Sequence, residues 1–227
     1  MAYGLYVFDA YGTLFDVHSA VARHRDAVGP EADRLSEIWR AKQLEYSWVR
    51  SLMGAYRPFW TLTEEALDFA LARVPAVDRT VKPALLDAYQ HLGAYPEALS
   101  VLQALKARGA RTAVLSNGSP QMLDSAVTSA GLKGVLDACL SVDVLKTYKT
   151  APQVYRMALD HFGAEADEVS FQSSNRWDIA GAAAFGFRTV WINRSGAPDE
   201  YPDLAPDRIL SDLSGLLEDR SDPNVRP

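Results

Sequence analysis

Four separate segments of this 227-residue chain carry polar side chains that could act together in a reaction. The first is residues 9–13, which follow an apolar run at residues 5–8 that is typical of a buried strand. An acid such as Asp9, placed at the carboxyl end of a parallel strand, lies where open α/β sheets bind their ligands. Taken alone, Asp9 could equally cap the turn that Gly12 permits, so its role depends on the other three segments.

Each of the other three segments follows a later predicted strand. Residues 116–118 read Ser-Asn-Gly, Lys146 and Lys149 lie in the next loop, and residues 173–178 read Ser-Ser-Asn-Arg-Trp-Asp. Each has an ordinary alternative, because Ser-Asn-Gly is commonly a turn, a lysine before a helix is commonly solvated, and Asp178 could be a helix N-cap. The carboxyl ends of parallel strands meet at one edge of the sheet. The presence of polar segments at the ends of four separate strands therefore favours a site that combines acids, hydroxyls, an amide and a cation.

The elements that must position these side chains form two groups. From residue 96 onward, helical periodicity alternates with strands at residues 111–116, 136–142, 168–173, 188–193 and 208–210. Such alternation predicts a parallel sheet with right-handed crossovers. Residues 16–95 instead carry helical periodicity without a strand, with helices at residues 17–28, 31–53, 63–74 and 81–92.

The predicted fold class is therefore α/β. A doubly wound parallel-sheet core, Rossmann-like and made of residues 1–15 and 96–227, is interrupted by an inserted helical cap domain of residues 16–95. In the second cap helix we expect one broad apolar face, made by Leu35, Ile38, Trp39, Leu44, Trp48, Val49 and Leu52. Residues 219–227 are predicted to be disordered.

Composition and charge disfavour several classes of protein. The chain is 48% hydrophobic and 23% charged, which is usual for globular domains. Its net charge of −6 disfavours nucleic-acid binding, which needs a clustered basic surface. The sequence has no apolar run of membrane-spanning length and no basic-then-apolar leader pattern, which predicts a cytoplasmic protein. The single cysteine, Cys139, lies in an apolar run and is predicted to be a small buried side chain.

The four segments resemble the four motifs of the haloacid dehalogenase superfamily. The matching residues are Asp-Ala-Tyr-Gly-Thr-Leu at 9–14, Ser-Asn-Gly at 116–118, Lys149, and the run at 173–178. Two cap segments, residues 39–46 and 51–53, narrow the resemblance to the L-2-haloacid dehalogenases. The likeness covers nearly the whole chain.

The resemblance implies hydrolytic removal of a halide through a covalent ester. Asp9 would attack C2 of the substrate, because a carboxylate with a reference pKa of ~3.9 is ionised at neutral pH. Backside attack predicts inversion, from an (S)-2-haloacid to an (R)-2-hydroxyacid. Asp178, oriented by Ser173 and Asn175, would help to activate the water that opens the ester. The catalytic residues implied in this way are Asp9, Thr13, Arg40, Lys149, Tyr155, Ser173, Asn175 and Asp178.

A substrate pocket between cap and core is implied by the same resemblance. The departing halide needs donors or a cation, and Arg40 and Asn117 occupy the positions of the family's halide partners. The substrate carboxylate would be held by Ser116, Asn117 and the backbone amides that follow Asp9. The substrate-binding residues implied in this way are Ala10, Tyr11, Arg40, Leu44, Phe59, Ser116, Asn117 and Trp177. No metal or organic cofactor is expected; the partners would be the haloacid, water and, in a homodimer, a second copy of the chain.

Two other functions are compatible with the same motifs. A magnesium-dependent phosphatase of small metabolites would be expected to carry an acid at the position of Tyr11, to protonate the leaving oxygen, and further acids after the fourth motif strand. A catalytically silent binding or regulatory relative would tolerate loss of Asp9, which this chain retains. Dehalogenation fits the residues best, because a halide leaves without a proton.

Overall fold

The computed structural model describes residues 4–218, and the predicted disordered tail lies outside these described residues. Its centre is a six-stranded sheet in which every neighbouring pair of strands is parallel, in the order β3-β2-β1-β4-β5-β6. The strands are β1 (Leu5–Phe8), β2 (Arg111–Ser116), β3 (Ala138–Ser141), β4 (Val169–Ser173), β5 (Arg188–Ile192) and β6 (Arg208–Leu210). The predicted α/β parallel-sheet fold with an inserted set of helices is confirmed.

The first strand of the chain is the central strand of the sheet. All four residues of β1 are buried, and Phe8 pairs with Val114 of β2 on one side and with Gln172 of β4 on the other. The chain adds β2 and β3 on one side of β1 and β4, β5 and β6 on the other. The order of strands therefore reverses at β1, and ligands of doubly wound sheets bind at the carboxyl ends of strands at such a point.

The helices fall into the two predicted groups. In the described part of the chain, five follow β1 and end before residue 96: α1 (Ser19–Ala22), α2 (Arg25–Val28), α3 (Ala32–Met53), α4 (Phe59–Arg73) and α5 (Lys82–Gln90). Four alternate with the later strands: α6 (Ala98–Ala107), α7 (Pro120–Ser129), α8 (Pro152–Phe162) and α9 (Arg176–Phe185). Short 3-10 turns occupy Gly29–Glu31, Arg79–Val81, Val142–Leu145, Ala166–Glu168, Pro202–Leu204 and Leu213–Leu217. Among residues 4–218, no helix is both long enough and apolar enough to cross a bilayer.

The long cap helix α3 buries a different stripe from the one we expected. Its buried side chains include Leu35, Trp39, Gln43 and Ser47, which recur every four residues and so lie on one face. Leu52, in contrast, is 88% exposed. The prediction of one continuous apolar face was wrong, because two polar residues occupy the buried stripe and the apolar residues at the end of α3 point outward.

Three further sequence predictions need correction. The helix expected at residues 17–28 is two short helices, α1 and α2. The helix expected to begin at Thr63 begins at Phe59, directly after Pro58, so Thr63 lies buried within it. Cys139 is exposed rather than buried, because β3 is an edge strand whose alternate side chains face solvent.

The two connections between the sheet and the cap helices run side by side. Phe15 pairs with Ala94, and the backbone N–H of Tyr95 donates to the carbonyl of Leu14 at 2.9 Å. Arg194, just after β5, donates to the carbonyl of Thr13 at 3.0 Å and stacks over the Tyr95 ring. One side chain therefore contacts both the outgoing and the returning segment. The domain boundaries, at residues 1–15 with 96–227 and at 16–95, remain a prediction.

Candidate active site

Asp9 begins a tight turn at the carboxyl end of β1. Its backbone N–H continues the sheet by donating to Gln172 at 2.8 Å, and the carbonyl of Ala10 then accepts the N–H groups of Leu14 and Phe15. Gly12 has a φ of +98°, and a Cβ there would lie 2.9 Å from the Ser174 hydroxyl. Glycine is required at this position because any side chain would be both strained and crowded.

One oxygen of the buried Asp9 carboxylate accepts three hydrogen bonds. Oδ2 lies 2.8 Å from the amide nitrogen of Asn175, 3.1 Å from the Thr13 hydroxyl and 3.4 Å from the Ser173 hydroxyl. These donors come from the turn after β1, the end of β4 and the residue before α9. The expectation that Ser173 and Asn175 orient Asp178 was wrong: their side chains contact Asp9, because the end of β4 lies beside the end of β1.

Lys149 joins the two carboxylates. Its Nζ lies 2.9 Å from Oδ1 of Asp9 and 2.7 Å from Oδ2 of Asp178, and its side chain is 1% exposed. The backbone N–H of Lys149 donates to Oδ1 of Asn117 at 3.0 Å, which fixes the loop against the end of β2. Lys146 lies outside this cluster, because its side chain is 60% exposed and pairs with Asp143.

The buried charges shift one another's protonation. Burial alone would lower the pKa of Lys149, but the neighbouring carboxylates of Asp178 and Asp9 outweigh it and raise that pKa above its ordinary value. Burial raises the pKa of Asp178 to about 6, even though Lys149 and the Tyr155 hydroxyl act in the opposite direction. Asp178 therefore changes protonation near neutral pH, in the range that suits a general base.

Tyr155 completes the environment of Asp178. Its hydroxyl donates to Oδ1 of Asp178 at 2.9 Å, and burial raises the pKa of Tyr155 well above its usual value. Asp178 lies in the first turn of α9, where the helix dipole favours a negative charge. A Cβ at Gly181 would lie 2.4 Å from the Tyr155 hydroxyl, so this close approach requires glycine.

The segment after β2 approaches the same turn. The Ser116 hydroxyl accepts the N–H of Gly118 at 3.1 Å, and a Cβ at Gly118 would lie 2.8 Å from the Tyr11 ring. Since Asn117 uses its oxygen to hold the Lys149 loop, its amide nitrogen is the group that can donate to an anion. The structure thus brings Ser116 and Asn117 to the Asp9 turn.

Arg40 reaches this turn from the cap. Its guanidinium donates to the carbonyl of Tyr11 at 3.1 Å and to Oε1 of Gln43 at 2.8 Å. The buried ring of Phe59 lies 6.4 Å from that of Tyr11, centroid to centroid. Leu44 is half-buried on α3, one turn after Arg40 and on the same side of the helix.

Trp177 is placed differently from the other pocket residues. Its ring packs edge-to-face on Trp48, 5.3 Å away, and lines a cavity of about 700 Å³ together with Thr150, Arg156 and Phe185. Asp9, Arg40 and Asn117 are not among the residues that line this cavity. Although Trp177 precedes Asp178 in sequence, its side chain faces this cavity, which lies between α3, α8 and α9.

Three buried polar residues around Arg40 were missed by sequence reasoning. They are Gln43 of α3, Thr63 of α4 and Tyr89 of α5, and the amide of Gln43 contacts both hydroxyls. A signal for Gln43 was present, since it continues the four-residue spacing of Leu35 and Trp39. Nothing in the sequence pattern indicated that Thr63 and Tyr89 would meet it.

A metal site is not built by these side chains. Within the part of the chain that the structure describes, no three His, Cys, Asp or Glu residues are grouped closely enough to hold a metal ion. The ammonium of Lys149 lies between the carboxylates of Asp9 and Asp178.

Comparison with known proteins agrees with this geometry. Residues 3–186 match the family model described as haloacid dehalogenase-like hydrolase. The chain is 54% identical to (S)-2-haloacid dehalogenase 1 of Pseudomonas sp. (strain CBS-3), over 92% of this chain and 93% of that protein. It is 53% identical to (S)-2-haloacid dehalogenase 4A of Burkholderia cepacia, over 93% of each chain.

Solved structures give the same result. A dehalogenase with an intermediate complex superposes with a TM-score of 0.92 at 49% identity, over 95% of this chain and 96% of the other. The L-2-haloacid dehalogenase of Xanthobacter autotrophicus with covalently bound chloropropionic acid gives a TM-score of 0.84 at 35% identity, over 95% and 97% of the two chains. The chain therefore belongs to the haloacid dehalogenase-like hydrolases and, within them, to the (S)-2-haloacid dehalogenases.

Proposed function

We propose that this chain hydrolyses (S)-2-haloacids to (R)-2-hydroxyacids, with inversion at C2, through an ester formed on Asp9. The observation that carries the proposal is the pair of buried carboxylates, Asp9 and Asp178, joined through one lysine. Relatives more than 50% identical are (S)-2-haloacid dehalogenases, and a solved relative holds chloropropionic acid covalently.

The two oxygens of Asp9 have different roles in the proposed first step. Oδ2 is held by three donors, whereas Oδ1 contacts the Lys149 ammonium, so Oδ1 is the oxygen that attacks. A bond forms between Oδ1 and C2 of the substrate while the bond from C2 to the halogen breaks, and the electron pair leaves with the halide. Attack from the side opposite the halogen inverts C2.

Arg40 and the amide nitrogen of Asn117 are the proposed partners of the departing halide. A fixed cation and a fixed donor stabilise the charge that develops on the leaving atom. Phe59 would form an apolar wall, which supports the role because a less hydrated halide interacts more strongly with its partners. Leu44 remains a proposed wall of this pocket, and Trp177 is proposed to bound it from the side of the cavity between α3, α8 and α9.

The substrate carboxylate would be bound at the other side of the Asp9 turn. Ser116, Asn117 and the backbone amides of Ala10 and Tyr11 are the proposed donors, since these groups converge after β1 and β2. Closure of the cap helices over this edge would exclude bulk water from the first step.

In the proposed second step, water opens the ester at Cγ of Asp9. Asp178 accepts one proton from the water, and Thr13, Ser173 and Asn175 stabilise the negative charge that develops on Oδ2. The bond from Oδ1 to Cγ breaks, so C2 keeps its inverted configuration. The product hydroxyl takes one of the two water protons, the other is released, and the water oxygen remains in the Asp9 carboxylate.

The test is halide release from racemic 2-chloropropionate in the presence of EDTA, with the wild type and Asp9→Asn compared. We expect the wild type alone to release chloride, to consume only the (S) enantiomer and to yield D-lactate. Silence of both proteins, together with magnesium-dependent turnover of a phosphate ester by the wild type, would instead identify a phosphatase. Silence in both assays would favour a binding or regulatory role.

We further propose that the protein is a cytoplasmic homodimer. The end of α3 exposes apolar side chains at Val49, Leu52 and Met53, and a contiguous exposed apolar patch favours association. Leu52→Glu should lower the molar mass measured by light scattering after size-exclusion chromatography. Ile209→Glu should not, because Ile209 is an exposed apolar residue on β6, at the other edge of the sheet from β3. Cell fractionation tests the location.

A further inference from the structure

We infer that Gln43 is a positioning residue for Arg40, and that Thr63 and Tyr89 hold Gln43 in the orientation this requires. The inference rests on the proposed role of Arg40 in halide departure. It concerns three polar side chains, of which Gln43 is 1%, Thr63 0% and Tyr89 4% exposed. Polar groups so deeply buried lower stability unless each is hydrogen-bonded.

The orientation of the Gln43 amide follows from the hydrogen bonds around it. The Thr63 hydroxyl gives its proton to the carbonyl of Phe59, 2.8 Å away, so it can only accept from Gln43. The Gln43 nitrogen therefore faces Thr63, at 2.6 Å, and Oε1 must face the opposite way. That oxygen accepts from Arg40 at 2.8 Å. A hydroxyl that does not contact Arg40 thus determines which atom of Gln43 meets the guanidinium.

Tyr89 adds a second restraint from a different helix. Its hydroxyl lies 3.0 Å from the Gln43 nitrogen and 3.2 Å from Oε1, and its ring stacks on that of Tyr11 at 5.7 Å. The carbonyl of Tyr11 in turn accepts from Arg40. Arg40 is therefore restrained by Gln43 on the cap side and by the Asp9 turn on the core side.

Loss of the restraint on Arg40 should affect only one of the two proposed steps. Arg40 is proposed to act when the halide leaves, whereas opening of the ester depends on Asp178 and on the donors to Oδ2. Loss of the Gln43 restraint should slow formation of the ester, in which the carbon–halogen bond breaks, and should leave hydrolysis of the ester unchanged. A residue that merely stabilised the fold would not separate the two steps.

The experiment measures both steps in single turnovers with (S)-2-chloropropionate. Quenched-flow chloride release reports ester formation, and intact mass spectrometry reports decay of the ester. We expect Gln43→Leu to slow ester formation by roughly ten- to a hundredfold, as for loss of a hydrogen bond to a charged group, and to weaken inhibition by added chloride. Ester decay should stay within about twofold of the wild type.

Thr63 provides the variant that touches neither substrate nor Arg40. Thr63→Val should slow ester formation in the same way as Gln43→Leu, whereas Thr63→Ser, which keeps the hydroxyl, should restore it. The matched control is Gln103→Leu on α6, an exposed glutamine. Thr63→Val also keeps the test decisive if Gln43→Leu does not fold.

The outcomes separate this inference from the proposal on which it rests. A wild type that releases no chloride refutes the proposed function, and the inference with it. If Arg40→Met leaves ester formation unchanged, the role of Arg40 is refuted. If Arg40→Met slows ester formation but Gln43→Leu and Thr63→Val do not, or if they slow both steps equally, the inference about Gln43 alone is overturned.

Discussion

The ammonium of Lys149 lies 2.7 Å from Oδ2 of Asp178, and both side chains are shielded from solvent, at 1% and 0% exposure. The same ammonium neutralises part of the charge on Asp9. Two carboxylates this close would repel one another without it. Lys149 therefore stabilises the folded site, because it offsets the repulsion between the two buried carboxylates.

Lys149→Met should destabilise the protein by about 3–5 kcal/mol near neutral pH, because it leaves buried carboxylates without a cation. Since Lys149 lowers the pKa of Asp178, its loss raises the folded-state pKa of that acid further above the unfolded value. Stability that is present at low pH is then lost as the pH rises, so the deficit in Tm should be larger at pH 8 than at pH 5. Thermal unfolding at both pH values checks this, with Lys146→Met as the solvent-exposed control.

The pH dependence of ester hydrolysis should report Asp178. A general base must be ionised, and burial raises the pKa of Asp178 to about 6, so the rate should fall below that pH and reach a plateau above it. Because the charge of Asp9 contributes to the raised pKa and is absent in the ester, the midpoint should lie at or somewhat below about 6. Single-turnover decay of the ester between pH 4.5 and 8 measures the midpoint; a flat profile would contradict the assignment.

Tyr155→Phe should move this midpoint to higher pH. The Tyr155 hydroxyl stabilises the ionised carboxylate and so lowers the pKa of Asp178, and its removal leaves burial less opposed. The rate of ester hydrolysis on the plateau should stay close to that of the wild type, because Asp178 is fully ionised there. Tyr46→Phe, at a half-buried position on α3, is the matched control and should leave the profile unchanged.

Gly181→Ala should disturb the site through packing alone. The added Cβ would lie 2.4 Å from the Tyr155 hydroxyl and 2.8 Å from two carbons of Thr150, so the neighbours must move. Overpacking of this kind costs about 1–3 kcal/mol. Chemical denaturation measures this cost as a loss in the free energy of unfolding. Gly134→Ala, where nothing lies within 4 Å of the added carbon, should leave that free energy nearly unchanged.

Much of the fold and of the site could be predicted from the sequence. Strand periodicity placed Asp9 after β1, and the strand-helix alternation brought Lys149 and Asp178 to the same edge of the sheet. These predictions held because a parallel sheet forces the ends of its strands together. The partners of each side chain could not be predicted in this way, and Ser173 and Asn175 were paired with the wrong acid.

Contacts between the cap helices were also beyond sequence reasoning. No role was assigned to Gln43, because a glutamine in an amphipathic pattern is commonly exposed. Its burial depends on hydrogen bonds to hydroxyls from α4 and α5. No local sequence pattern predicts contacts between side chains of different helices. The exposure of the end of α3 was missed for the same reason. Helical periodicity shows which residues share a face of the helix, but it does not show whether another element packs against that face.

The central place of β1 has a consequence for synthesis on the ribosome. Leu5 is translated well before both of its partners in the sheet, Arg111 and Val169. The strand that leads to the nucleophile therefore stays unpaired until β2 has been translated, and it lacks its second partner until β4 has been translated. Pairings so distant in sequence form slowly. Nascent chains arrested before residue 169 should be prone to aggregation and inactive, because they lack β4 and the Asp178 that follows it.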